Sequence, residues 1–192
     1  MPKVIPEYKE EAQKRLLEVA TRYVLEKKYL KVSMEEIARE AGVSRPTLYL
    51  YYKNKEELLL AIVSNLIEEI WNALEHSQGL DLLNPDGSFF DQVQVQFGDR
   101  FIIFFEIITS AKGESQLFDA INTIHEKILK RIAEVIETKY PEKLSPGSDP
   151  YIAANAILSL FIGLNIRIKL GYPLKQAKQS WQMVISGLFQ NS

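Results

Sequence analysis

Residues 33–58 read Ser33-Met-Glu-Glu-Ile-Ala-Arg-Glu-Ala-Gly42-Val-Ser-Arg-Pro-Thr-Leu-Tyr-Leu-Tyr-Tyr-Lys-Asn-Lys-Glu-Glu-Leu58. Ser33 followed at the third position by Glu36 is a capping box, the start signal of a helix. Gly42 supplies the left-handed residue that stops that helix after two turns. Pro46 suits the first turn of a second short helix, where its missing N–H is no loss. Asn54 then caps a long third helix, Lys55 to His76. Between Val43 and Glu56 the chain carries Arg45, Lys53 and Lys55 and no acidic residue. A compact helical unit charged in this one-sided way suits a phosphate backbone.

Working outward, apolar residues recur at three and four, the helical period, and no run of strands is visible. Upstream, Ala12, Leu16, Val19, Ala20, Tyr23 and Val24 form one stripe of a helix ending near Tyr29. Downstream, Gly79 to Ser88 with Asn84-Pro85-Asp86-Gly87 reads as a loop. A strongly apolar helix is expected over Phe89–Ala111, broken near Gly113. The next, Gln116 to Tyr140, carries a seam of Phe118, Ile121, His125, Ile128, Ile132 and Val135. Two last helices, Asp149–Leu170 and Pro173–Phe189, meet at Gly171-Tyr172-Pro173. The expected fold class is all-α, with about nine helices: a helix-turn-helix domain over 1–55 and a second helical domain over 56–192.

The 192 residues are 46% hydrophobic and 25% charged, ordinary proportions for a globular protein. No cysteine is present, which excludes disulfides and thiolate metal sites. The N-terminus lacks the apolar run of a signal peptide. The longest nearly uninterrupted apolar run, Tyr151 to Ile166, falls short of the ~20 residues a bilayer span needs, so a cytoplasmic protein without a membrane partner is expected. Residues 1–57 hold 12 Lys/Arg against 10 Asp/Glu, and residues 58–192 hold 11 against 15. A slightly basic head on an acidic remainder is a mild sign that one end meets a polyanion.

In a helix-turn-helix the two helices cross closely, so the first needs a small residue, here Ala38. Ile37, Val43 and Leu48, with Leu30 and Val24 from the first helix, supply the shared apolar plug. The second helix then lies in the major groove of double-stranded DNA with its N-terminal side chains at the base edges. Ser44, Arg45 and Thr47 fit that duty, arginine because it pairs bidentately with guanine. Tyr49, Tyr51 and Lys55 are placed for flanking phosphates, which fix register without reading sequence. Ser33 and Lys53 complete the candidate DNA-facing set, whereas Tyr52 reads as a core ring.

The string Ile37-Ala38-x-x-Ala41-Gly42-Val43-Ser44-x-x-Thr47-Leu48-Tyr49-x-x-x-Lys53-Asn54-Lys55-x-x-Leu58 resembles the TetR (tetracycline-repressor) family of transcriptional regulators over about residues 12–60. The resemblance implies a homodimer, a three-helix DNA-binding domain and a divergent C-terminal domain that holds an effector. It also implies DNA contacts from Thr47, Tyr49 and Lys55. Two departures stand out. Leu50-Tyr51-Tyr52 replaces a common aromatic–His–Phe run, and Pro46 sits where glycine or a polar residue is common.

In the second domain, Phe97, Phe101, Phe104 and Phe105 share one side of the Phe89–Ala111 helix. Ligand pockets favour apolar and aromatic walls with few polar groups. The candidate wall of a small hydrophobic effector's pocket is therefore Trp71, these four phenylalanines, Ile121, His125, Asn155, Leu158, Phe161 and Asn165, with Glu106 a second possible polar anchor. A solid core is the competing reading of any single phenylalanine. The last two helices carry Ala153, Ala154, Ala156, Gly163, Ala177, Ser180 and Gly187, and the resemblance implies that they pair with their symmetry mates. A two-fold dimer places its recognition helices ~34–36 Å apart on a palindromic site. The expected function is a ligand-responsive regulator, a repressor released from its operator by the effector. The alternatives are a constitutive DNA-binding or adaptor protein, or an enzyme. With two histidines, no cysteine and no glycine-rich phosphate loop, no cofactor or metal is expected and nothing selects a catalytic constellation.

Overall fold

A computed structural model describes residues 6–27, 31–76, 83–84, 86–101, 116–142, 144 and 147–189. They form eight α-helices: α1 Pro6–Lys27, α2 Met34–Glu40, α3 Arg45–Tyr51, α4 Lys55–His76, α5 Ser88–Phe97, α6 Gln116–Lys139, α7 Pro150–Lys169 and α8 Leu174–Leu188. No strand occurs among them, only an isolated bridge between Leu144 and Phe189. The chain divides into two compact units, Met1–Glu69 with Ile102–Ala120, and Ile70–Phe101 with Ile121–Ser192.

In the first unit, α1 buries Leu16, Ala20 and Val24 from the expected stripe, and Ala12, Val19 and Tyr23 are half-buried. Residues 28–30, where α1 was expected to end and where the plug residue Leu30 falls, lie outside the described residues. The core is completed by Ile37 and Ala38 of α2, Leu48 of α3, the Tyr52 ring, and Leu58, Leu59, Ile62, Val63 and Leu66 along α4. Asn54 caps α4 as expected, its amide oxygen accepting from the Glu57 N–H at 2.7 Å.

In the second unit the expected continuous helix 89–111 is corrected. Regular α-helix stops at Phe97, and the chain tightens into a 3-10 turn over Gly98–Arg100. Adjacent Gly98 and Asp99 are both poor helix formers, and their combined weakness outweighs the apolar pattern. Residues 102–115 lie outside the described residues. The seam of α6, which runs through both units, is corrected in part: Ile132 is buried as expected. Its buried face is Leu117, Leu129, Ile132, Ala133 and Ile136, while Phe118 is exposed and Ile121, Ile128 and Val135 are half-buried. Two overlapping three-four patterns run along this helix, and packing selects the one rotated by about a residue from that expected.

Asp149 caps α7, accepting from the N–H groups of Tyr151 (2.7 Å) and Ile152 (3.4 Å), and Pro150 occupies the first turn, where no donor is missed. The expected bounds of α7 and α8 hold to within about a residue. The expectation that this apolar segment is too short for a bilayer is revised: α7, at 20 residues, is long and apolar enough to cross a membrane by length and composition. It buries Ala153, Ala154, Ile157, Leu164 and Asn165.

Trp181 of α8 is fully buried, stacked on Phe89 (5.5 Å between ring centres) and Phe90 (5.7 Å) and edge-on to Phe161 (5.9 Å). A second tie joins α8 to α5 through Lys178 and Asp91, and the Gln182 amide donates to the Asp86 carbonyl at 2.8 Å. Gly87, at φ 73°, caps α5 beneath them; a Cβ there would lie 2.7 Å from Cε of Lys178. Truncating the aromatic centre should be costly: Trp181→Ala is expected to lose about 3–5 kcal/mol of stability. Met183→Ala, two residues away and 78% exposed, should stay within about 0.5 kcal/mol. Urea unfolding followed by circular dichroism checks both.

Candidate functional site

The candidate site is built on α2, the turn after it, and α3. Ser33 and Glu36 cap each other. The Glu36 N–H donates to Ser33 Oγ (3.2 Å), and the Ser33 N–H and hydroxyl both donate to the Glu36 carboxylate (2.8 and 2.9 Å). Those bonds, the backbone one first, hold the Glu36 carboxyl below its ordinary value. The stabilisation is therefore complete above the ordinary carboxylate range and is lost as pH falls through the lowered folded-state value.

Two hydrogen bonds close the end of α2: Val43 N–H to Ala38 C=O at 3.0 Å and Gly42 N–H to Arg39 C=O at 3.1 Å. With Gly42 at φ 66°, this is the Schellman arrangement, in which the outer bond and the left-handed residue turn the chain sharply. The turn brings Ser44 to the head of α3, where its hydroxyl accepts from the Thr47 N–H (3.2 Å) and pairs with the Thr47 hydroxyl (2.7 Å). Leu48, fully buried, fixes the rotation of α3 about its own axis.

That rotation leaves Ser44 and Arg45 exposed and Thr47, Tyr49 and Tyr51 half-buried on one seven-residue helix and its cap. Lys53 is exposed, and its N–H donates to the Glu57 carboxylate (2.6 Å); Lys55 opens α4, half-buried. Ser33 lies at the start of α2, its hydroxyl used in the cap. Tyr52, expected in the core, is buried there, and burial pushes its phenol above the ordinary value.

Two residues of this surface escaped sequence reasoning. Glu35 of α2 holds Arg45, carboxylate oxygen to Nη1 at 2.8 Å, while the guanidinium also lies 5.5 Å over the Tyr49 ring. Hydrogen bonding to Tyr49, then the Glu35 charge, favour the charged form of Arg45. Leu50 projects into solvent at 79% exposure. The Glu35–Arg45 pair spans the turn and has no periodic signature. Leu50 carried a signal, being two residues from the buried Leu48 and therefore on the opposite side of a helix.

The described candidate pocket residues fall in the second unit. Phe97 and Phe101 are buried, and Phe101 packs edge-on against Phe161 at 5.2 Å. Trp71 is buried with the Arg131 guanidinium 4.5 Å over its ring. Asn165 is buried and satisfied, accepting from the Gln94 amide at 2.6 Å and donating to the Phe161 carbonyl at 2.8 Å. Ile121, His125 and Leu158 are half-buried, and Asn155 is exposed. Phe104, Phe105 and Glu106 lie outside the described residues. Phe89, Phe90 and Trp181, the centre of the aromatic cluster, were not among the expected wall. The four-residue spacing of Ala177, Trp181 and Ile185 was the available signal.

Residues 16–62 match the family described as bacterial regulatory proteins, tetR family. The HTH-type transcriptional regulator EthR of Mycolicibacterium smegmatis is 40% identical over 53 residues, 28% of this chain and 24% of that one. The uncharacterized HTH-type transcriptional regulator YhgD of Bacillus subtilis is 24% identical over 162 residues, 79% of this chain and 81% of its own length. A solved TetR transcription regulator from Haloarcula marismortui superposes with a TM-score of 0.74 at 19% identity, over 94% of this chain and all of that one. The matched region centres on the turn that holds α3. Gly42→Ala forces a Cβ into the left-handed region, with nothing within 4 Å to clash. Its expected cost is therefore conformational alone, about 1–2 kcal/mol. Gly42→Asn should lose less, as urea unfolding of the two variants will show.

Proposed function

We propose that this chain, whose residues 16–62 match the tetR family of bacterial regulatory proteins, is a ligand-responsive, DNA-binding repressor of that family. In this reading residues 1–55 bind a palindromic operator in double-stranded DNA, and residues 56–192 dimerise and hold a small, largely hydrophobic effector. The observation that carries it is α3: a short helix locked by Leu48 and the Gly42 turn, its outer face lined by Ser44, Arg45, Thr47, Tyr49 and Tyr51 in an acid-free stretch. Such a face can enter a major groove, with Lys53 and Lys55 beside the flanking phosphates. Glu35 is a counterweight, because its carboxylate must release Arg45 before the guanidinium can meet a guanine edge.

Dimerisation is supported by the apolar residues that α7 and α8 leave uncovered, among them Ile152, Ile166, Leu170, Met183 and Val184. A second copy of these helices would bury them. The effector would act by binding unequally to two dimer geometries, for which couplings of about 1–3 kcal/mol are typical. A regulator of this kind works beside the chromosome, in the cytoplasm. The packing of Phe101 on Phe161 and of Trp181 on Phe89 and Phe90 favours a second reading, a regulator with a solid body and no effector. Native mass spectrometry separates the two: a co-purified small apolar mass, released together with DNA binding, supports the effector, and a bare dimer supports the solid body.

DNA affinity is tested on duplexes selected from a random pool. Arg45→Ala should weaken selected sites more than unselected DNA. Lys55→Ala should weaken both and lower the salt slope by about one unit. Glu35→Gln should tighten binding to both. Three variants with unchanged affinity would contradict the assignment.

A further inference from the structure

Leu50 stands on the outer face of α3. It lies two residues, or about 200° of helical rotation, from the buried Leu48, and is 79% exposed. Along α3 three rows run at four-residue spacing: Arg45 with Tyr49, Pro46 with Leu50, and Thr47 with Tyr51. The first row is tied to Glu35 and the third to the capped first turn. The middle row, Pro46 and Leu50, is apolar and exposed. Water gains nothing from a leucine held outward, and no residue of the core needs it.

The stretch from Val43 to Lys55 carries Arg45, Lys53 and Lys55 and no acid; although Glu35 of α2 reaches Arg45, the balance of charge on this ridge favours a polyanion, and hence DNA over a protein partner. In the major groove only thymine offers an apolar group, its 5-methyl. Resting on the DNA-binding reading above, we infer that Leu50, seated beside Pro46, reads thymine by contact with that methyl group. Specificity in this row comes from apolar burial, while Arg45 supplies the hydrogen bonds. The gain expected from one buried methyl is about fourfold in affinity per half-site, equivalent to ~0.8 kcal/mol.

The test uses the full chain and duplexes it selects from a random pool, resynthesised with deoxyuridine in place of single thymidines, which removes only the 5-methyl. Support is a position where this change weakens the wild type about fourfold per half-site, and where Leu50→Ala, folded by circular dichroism, no longer distinguishes the two bases while Leu50→Met does. An equal deoxyuridine penalty in wild type and Leu50→Ala, or no penalised position, overturns the thymine contact and leaves DNA recognition standing. A change of oligomeric state in Leu50→Ala without a change in base preference also overturns it. Failure to enrich any sequence overturns the DNA reading itself, and this inference with it.

Discussion

The candidate site depends on one backbone constraint: the left-handed residue at Gly42, closed by the Val43–Ala38 and Gly42–Arg39 hydrogen bonds. Five residues separate Ala38 from Ser44, and both ends of that interval are fixed, one by burial and the other by its cap on Thr47. With the turn set, Leu48 has a single direction in which to bury, and every other side chain of α3 takes its place from that. The outward face is thus a consequence of the inward one. Arg45, Tyr49 and Leu50 need no contacts of their own to be presented, because a buried leucine and a left-handed glycine turn present them.

The second unit is organised differently. Its centre is a cluster of rings from three segments, with Trp181 between Phe89, Phe90 and Phe161, and its buried amide, Asn165, is paired to Gln94. A buried polar group satisfied in this way costs little in place but much if its partner is removed. An effector that displaced Gln94 from Asn165 would therefore have to replace that hydrogen bond, which would favour a ligand with one polar group on an apolar body. Under the proposed function, the energetic link between such a ligand and DNA would be a difference in affinity between two dimer geometries, not a property of one pocket.

The elements with strong local chemistry were legible from sequence. Ser33 with Glu36, Gly42, Pro46, Asn54 and Asp149 each announce a helix boundary through a backbone group that the residue satisfies or releases, and the structure uses them so. Features decided by packing were not. The 3-10 turn at Gly98–Arg100 interrupts a segment whose apolar pattern continues through it. In α6 two interleaved seams compete, and only the neighbouring helices choose between them. At the site, the exposed row of α3 could be read because it lies opposite Leu48. Glu35 could not, since its approach to Arg45 depends on the angle between α2 and α3.

In the proposed complex, two copies of α3 face one side of a duplex in adjacent major grooves. Hydroxyl-radical footprinting of the full chain on a duplex selected from a random pool measures this most directly. Two protected patches are expected on one face of the DNA, related by a two-fold axis and about one helical turn apart, ~34–36 Å. A single unsymmetrical patch, or uniform weak protection along the duplex, would contradict that arrangement.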